Sequence, residues 1–469
     1  MVVRKRTIRQ PLKKEPPVLI MQDALPLFKS FLKPVSLKQR ARQLVLRCVI
    51  AFLMHLGKMS ASRVAGAVRT DARHRAQVSR FLGRRYWRRC DLLGQLRAQL
   101  LEMEARQGTF VFDIDQTYCS QQGKLTENTI IRGEKTKRPK KRKKKQKKYA
   151  QRSSHCFVMG LLITPSGMRL PFSVSYYTEA YCKAKKIAYR KQTELAAQLI
   201  RQLPLPPEAR VVVLGDTAFD AEAIHTACEE RNFSWIVPIN PERVLAGEKP
   251  RPKVSSLSED LTADQMVCLK VHPGKGKYVD YRRISRYRIG PKFKPRTYYV
   301  HEESRDVHSV GKVRLFFSTT KAPAQGHRVE VQKTLMTNDA KLTLRDVIEL
   351  YQLRWQIELF FKELKSTLGL HHYRFKEFEK AETWVTLCLV TFVYLEWIRA
   401  RKLKQKALKK KEREWWQTQR TYGLALAVRQ EAEQRELKLL AEKMETPTGR
   451  KVLAKQLRQS HPKEYRAAI

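Results

Sequence analysis

Apolar and polar positions follow two different periods along this chain. Between about Ser36 and Gln107 apolar residues recur at helical spacing, as in LVLRCVIAFLMHLG, SASRVAGAVR and AQVSRFLGRRYW, interleaved with arginines. From TFVFDID onward the pattern changes. TFVFDID reads as a strand, FVMGLLITPSGMRLPFSVSYY as a hairpin and VVVLGD as a buried strand. Helical stretches lie between Lys183 and Arg201 and from Asp220 to Arg231. Strands alternating with helices after an initial hairpin predict an α/β domain with a mixed sheet. Residues 235 to about 330 break that rhythm: YVDYRRISRYRIG and RTYYV read as exposed strands of an inserted, β-rich subdomain. KTLMT then resumes a strand, and Thr343 with Asp346 forms a capping-box start for a helix. The most apolar segment, Thr383 to Ile398, is short for a bilayer and carries Glu396, so it reads as a buried helix.

The helix after that capping box, YQLRWQIELFFKELKSTLGL, has two faces. At about 100° per residue, Tyr351, Arg354, Glu358 and Lys365 fall at roughly 0°, 300°, 340° and 320°, a polar stripe about 21 Å long. Leu350, Leu353, Ile357, Phe360, Phe361, Leu364 and Leu368 fall at roughly 180–280°, an adjoining apolar face. One carboxylate among two cations and a phenol suggests metal chemistry on a nucleic-acid backbone. An amphipathic surface helix with ordinary ion pairs would show the same spacing, so partner carboxylates elsewhere decide between the readings.

Charge narrows the partner. The chain has 469 residues with 95 Lys and Arg against 45 Asp and Glu, a formal net charge of +50. A cationic surface of that size attracts polyanions, and nucleic acid is the expected one. The eight cysteines form no Cys-x-x-Cys pair, so neither a zinc knuckle nor a redox motif is signalled, and buried or free thiols in a reducing compartment are expected. The amino terminus is basic without the apolar stretch of a signal peptide. The expected organisation is a basic tail over 1–35, a helical DNA-binding domain over 36–107, a catalytic α/β domain over 108–234, the β-rich insertion over 235–330, the rest of the catalytic domain over 331–400, and a basic helical region over 401–469. A helix-turn-helix fits within Met59–Trp87, capped at Ser60 or Ser62, with a purely structural bundle as the alternative. In Lys135–Lys148, 11 of 14 residues are Lys or Arg, which predicts a solvated phosphate-binding arm.

The partner carboxylates exist. TFVFDIDQT ends a strand with Asp113 and Asp115 on one face, and VVVLGDTAFD ends another with Asp216. In open α/β sheets reactive groups gather at the carboxyl ends of strands. Two strand-end aspartates and a helix glutamate can hold two Mg²⁺ ions about 3.5–4 Å apart, because a hard cation prefers carboxylate oxygens. Singly, Asp216 reads equally as a helix cap and Asp113 as a turn or supporting group.

Jointly the pattern resembles the catalytic domain of DDE transposases. The spacing Tyr351-x2-Arg354-x3-Glu358-x6-Lys365 matches the tyrosine–arginine–glutamate–lysine signature of one large group of bacterial insertion-sequence transposases. DQTYCSQQG looks like that group's first motif, with Asp115, Thr117 and Gly123, and LGDTAFD looks like the second, with Asp216. The resemblance runs from about Ser36 to Ala400. It implies an RNase H-like fold, a metal-binding catalytic triad of Asp115, Asp216 and Glu358, and phosphate contacts from Tyr351, Arg354 and Lys365. Asp113 is the competing first acid. Trp355, beside the polar stripe, is a candidate for stacking on an extruded base; in relatives that tryptophan lies in the insertion, where Trp235 at its edge is the nearest counterpart. The resemblance also implies Mg²⁺ (with Mn²⁺ substituting), double-stranded transposon-end and target DNA as partners, a homodimeric synapse, and a bacterial cytoplasmic, nucleoid-associated protein without a membrane. A nuclease of the same fold without strand transfer, or an inactive DNA-binding relative, would carry the same motifs.

Overall fold

The computed structural model describes residues 30–54, 64, 78–83, 91–104, 106–121, 125–135, 149–272, 277–279 and 295–460. The helix-turn-helix expected within Met59–Trp87 falls largely outside these residues, as do Gly123, nearly all of the Lys/Arg run and most of YVDYRRISRYRIG.

One mixed sheet of ten strands organises the chain. Its strands are β1 Phe110–Gln121, β2 Ile130–Lys135, β3 Tyr149–Ile163, β4 Arg169–Ser175, β5 Val211–Leu214, β6 Ser234–Pro238, β7 Val267–Val271, β8 Arg296–Val307, β9 Gly311–Thr319 and β10 Lys333–Thr337. The spatial order is β2-β3-β1-β5-β6-β10-β9-β8-β7, with β4 also paired to β3. β1, β5 and β6 are mutually parallel, and β3 is antiparallel to both β1 and β4. The expected RNase H-like arrangement is therefore present: a hairpin-fed antiparallel strand beside a parallel set. β5 is buried along its whole length, as a strand covered on both faces requires. The segment after residue 235 is not detached from this sheet. Its strands β7, β8 and β9 extend the sheet edge through β10.

The helices are α1 Gln39–Met54, α2 Leu92–Leu101, α3 Glu179–Lys185, α4 Gln192–Arg201, α5 Glu222–Glu230, α6 Val254–Glu259, α7 Leu344–Tyr351, α8 Trp355–Ser366, α9 Phe378–Lys404, α10 Lys410–Thr418, α11 Thr421–Glu445 and α12 Pro447–Ser460. The stretch from Lys183 to Arg201 is two helices, because Lys186 adopts the left-handed conformation (φ 54°) that ends α3. α9 is the axis on which the helices pack. Phe31 lies 5.2 Å from Tyr394 and Phe52 lies 4.9 Å from Trp384 between ring centroids. Among the described residues α9 alone is long and apolar enough to cross a membrane, and 89% of its most apolar window is buried inside the protein. None of the seven described cysteines forms a disulfide.

Candidate active site

Strand register brings the first two acids together. In the parallel pair, Asp113 on β1 lies beside Leu214 on β5. The pairing ends there, and just past it Asp216 lies close enough to Asp115 for its charge to raise the Asp115 carboxyl. Gly215 permits the turn at that point, since a Cβ there would lie 2.9 Å from the Phe219 Cβ. Asp216 then caps the turn Thr217–Phe219, its Oδ1 accepting from Ala218 N at 2.9 Å. Beyond it, Arg243 grips Asp220 through Nε and Nη2 at 2.7 and 2.9 Å, tying this turn to the start of the insertion.

The polar stripe arrives from the other side, but not on one continuous α-helix. Thr343 and Asp346 form the expected capping box, and α7 runs to Tyr351. Gln352–Arg354 is a 3₁₀ turn, after which α8 begins at Trp355. The seven apolar residues of the adjoining face are all buried. The break changes the phase of the stripe, so its groups meet different partners.

Arg354 lies among the acids. Its Nη2 donates to Glu358 Oε1 at 2.6 Å, and its Nη1 is 3.8 Å from Asp115 Oδ2. Asp115 has its carboxyl pushed up to about 6 by burial, with Asp216 and Glu358 raising it further and Arg354 and the Gln116 N–H opposing. Glu358 is more open than Asp115, their side chains being 38% and 15% exposed. Tyr351 is pushed above the ordinary phenol range by burial. Lys365, in the last turn of α8, lies within electrostatic reach of Cys119 and His371.

Asp113 has a different environment from Asp115. It is fully buried, and its Oδ2 accepts from Ile357 N in the first turn of α8 at 3.2 Å. Burial pushes its carboxyl well above the usual range. Among the described residues its Oδ1 has no partner. It tethers α8 to β1 from behind the open acids. The two tryptophans also separate. Trp355 is 49% exposed at the start of α8. Trp235 is a buried residue of β6 stacked on His225 at 4.2 Å, which removes it as a stacking platform and corrects the expectation at that position.

One charged neighbour escapes the sequence reading. Lys333, the first residue of β10, places its Nζ 5.0 Å from the Tyr351 ring centroid. Partial burial and the Arg354 charge pull its pKa down while Asp216 pulls it back up. The signal was a lysine at the head of an otherwise buried strand, visible in KTLMT but without meaning until β10 was seen beside the site.

Among the described residues no three His, Cys, Asp or Glu side chains are gathered at ligating distance. The donor set nevertheless suits a divalent cation. Asp115, Asp216 and Glu358 offer only hard carboxylate oxygens, and the burial and mutual repulsion that together raise Asp115 are what a bound cation would offset. In such a complex the Arg354–Glu358 pair would have to loosen.

A family model described as a transposase DDE domain matches residues 118–394, more than half of the chain. The matched span contains Asp216, Tyr351, Arg354, Glu358 and Lys365 and begins three residues after Asp115. No curated protein matches the chain.

Proposed function

The chain belongs to the transposase DDE-domain family, and from that premise we propose that it cuts DNA at the ends of a mobile element and joins the released 3′ ends to target DNA. Asp115, Asp216 and Glu358 are the catalytic acids in this reading and would hold two Mg²⁺ ions, with Mn²⁺ as a substitute. The observation that carries it is that Asp115 on β1 lies within charge interaction of both Asp216, after β5, and Glu358 on α8, with Arg354 pairing to Asp115 and Glu358.

Metal ions bound there would lower the pKa of an attacking water and stabilise the leaving oxygen of an in-line displacement at phosphorus. The remaining work falls to the protein's own groups. Arg354 and Lys333 present cations beside the acids, where they can take up the oxygens of the scissile phosphate. Tyr351 donates from the wall beneath Lys333, and Lys365 reaches the backbone further along the DNA end. Trp355 offers an exposed indole on which an unpaired base can stack. Asp113 holds the first turn of α8 and does not ligate; its enclosure and its bond to Ile357 support Asp115 as the first acid. Residues 36–107 and the Lys/Arg run supply further DNA contacts, and a homodimer would hold two ends in one synapse.

A supercoiled plasmid carrying the DNA that flanks the gene tests the proposal. Cleavage at the element ends in Mg²⁺, absent with chelator and lost in Asp216→Asn while end binding persists, is the expected result. Cleavage surviving in Asp216→Asn would refute the assignment of the acids. Nicking without any joining of 3′-hydroxyl ends to a second plasmid would leave a nuclease and remove the strand-transfer half.

A further inference from the structure

The buried side of α8 carries a second ionic cluster. Glu363 lies five residues after Glu358, about 140° round the helix. Its Oε2 accepts from Arg169 Nη1 at 2.9 Å and from Thr421 Oγ1 at 2.7 Å. Arg169 also donates to Glu396 Oε1 through Nε and Nη2, at 3.2 and 3.0 Å, and lies 5.0 Å over the Phe392 ring. The second oxygen of Glu396 accepts from Arg399 Nη2, and Arg399 Nη1 donates to the Gln419 carbonyl at 3.0 Å. None of the four charged residues is more than 7% exposed.

Two arginines and two glutamates make a neutral, desolvated set. Such a set is seldom more stable than well-packed apolar side chains of the same volume. Its distinctive contribution is direction, because the guanidinium fork donates to carboxylates in fixed geometry. The set joins β4, α8, α9 and the first residue of α11, and its members Glu396, Arg399, Gln419 and Thr421 all lie beyond the family match, which ends at residue 394. α8 is thus held at two points about 9 Å apart along its axis: Ile357 N on Asp113, and Glu363 on Arg169. Glu358 stands between them.

We propose that Arg169 and Glu363 are positioning residues that fix the rotation of α8, and so the aim of Glu358, and that this setting depends on α11 being seated through Thr421. The inference rests on Glu358 being the third acid. It makes the helices after residue 394 part of the catalytic apparatus without their touching DNA at the site. Displacement of a reacting group by about 1 Å costs on the order of 100-fold in rate, and loss of one anchor leaves α8 free to roll by that much.

The test uses the full chain, with Arg169→Lys, which keeps the charge but not the fork, and Glu363→Gln, which keeps the shape. Single-turnover cleavage at saturating DNA should fall about 10- to 100-fold in both, with the concentration for half-saturation by end DNA unchanged and Mn²⁺ binding, read by electron paramagnetic resonance, weakened. Thr421→Val should give a smaller loss in the same direction. If either variant melts near the wild-type temperature yet cleaves within twofold of wild type, the positioning role is overturned while the proposed function stands. If Glu358→Gln cleaves at the wild-type rate, the assignment of the third acid is overturned and the positioning role with it. A parallel loss of end binding and cleavage would mean general damage to the fold and would also overturn the proposal.

Discussion

Two ionic clusters are built on α8, one on each side, and they obey opposite rules. On the buried side Arg169, Glu363, Glu396 and Arg399 balance charge for charge, and their fixed hydrogen bonds replace the water they have lost. On the open side Asp115, Asp216 and Glu358 outnumber the cations within pairing distance, where Arg354 alone bridges two of them. A closed, neutral set can fix geometry and nothing else. A carboxylate-rich set exposed to solvent keeps an unmet demand for positive charge, which a cation or a DNA-bound complex can satisfy. The same two residue types therefore yield an anchor or a reactive centre, according to balance and enclosure.

The largest effect should come from the open cluster. Asp216→Asn should lower cleavage by at least about 1,000-fold, in line with loss of an essential electrostatic group, while changing the unfolding midpoint little. The buried cluster should answer in the reverse sense. Arg169→Met leaves Glu363 without a cation in the core, while Glu396 keeps Arg399, and should cost about 3–5 kcal/mol of stability, read as a lower urea midpoint at constant slope. Replacing Arg169, Glu363, Glu396 and Arg399 together by Met should recover most of that stability without recovering cleavage; full recovery of both would erase the distinction between the clusters. Mg²⁺ separates them further. At a hundredfold excess over its dissociation constant it should stabilise wild type by about 2.7 kcal/mol, with a clearly smaller shift in Asp216→Asn and an undiminished shift in Phe392→Met, whose ring packs on Arg169 and Phe360 away from the open acids.

A third kind of buried polar group sharpens the contrast by staying neutral. His155 hydrogen-bonds Tyr373 Oη and the Glu127 carbonyl, each at 2.9 Å. Burial pulls its pKa down to about 4, the carbonyl bond opposing. The unfolded chain, with an ordinary imidazole near 6.5, binds the proton first, so His155 contributes its full stability above about pH 6.5 and loses it as pH falls toward 4. His155→Phe should flatten the stability profile across that window, the smallest of the expected effects. An unchanged acid limb in this variant would mean that the carboxylates alone set it.

Part of the candidate site was legible early, because Tyr351 to Lys365 lie close in sequence and Asp216 follows a strand whose burial is local; Asp113 and Asp115, expected at a strand end, lie inside β1, which runs on to Gln121. Val211 to Leu214 announces a covered strand, and Asp216 follows it by two residues. Thr343 and Asp346 cap α7 as their spacing requires. Other features had no local signature. Asp113 and Asp115 share a strand face, and the bond of the buried Asp113 to Ile357 N, which gives the two different surroundings, has no local signature. The 3₁₀ turn at Gln352–Arg354 follows no periodicity in the sequence. Trp235 and Trp355 are both tryptophans near the site, and neighbouring packing alone makes one core and the other exposed.

The sequence by itself determined the α/β class, the acids Asp115, Asp216 and Glu358 as candidates, and the cationic surface, since these depend on period, spacing and composition. Only the tertiary structure decided that Lys333 stands beside Tyr351, that Arg354 bridges Asp115 and Glu358, and that Arg169 reaches Glu363 and Glu396, 194 and 227 residues away. Contacts of that separation come from sheet register and helix packing, and no short window of the chain encodes either.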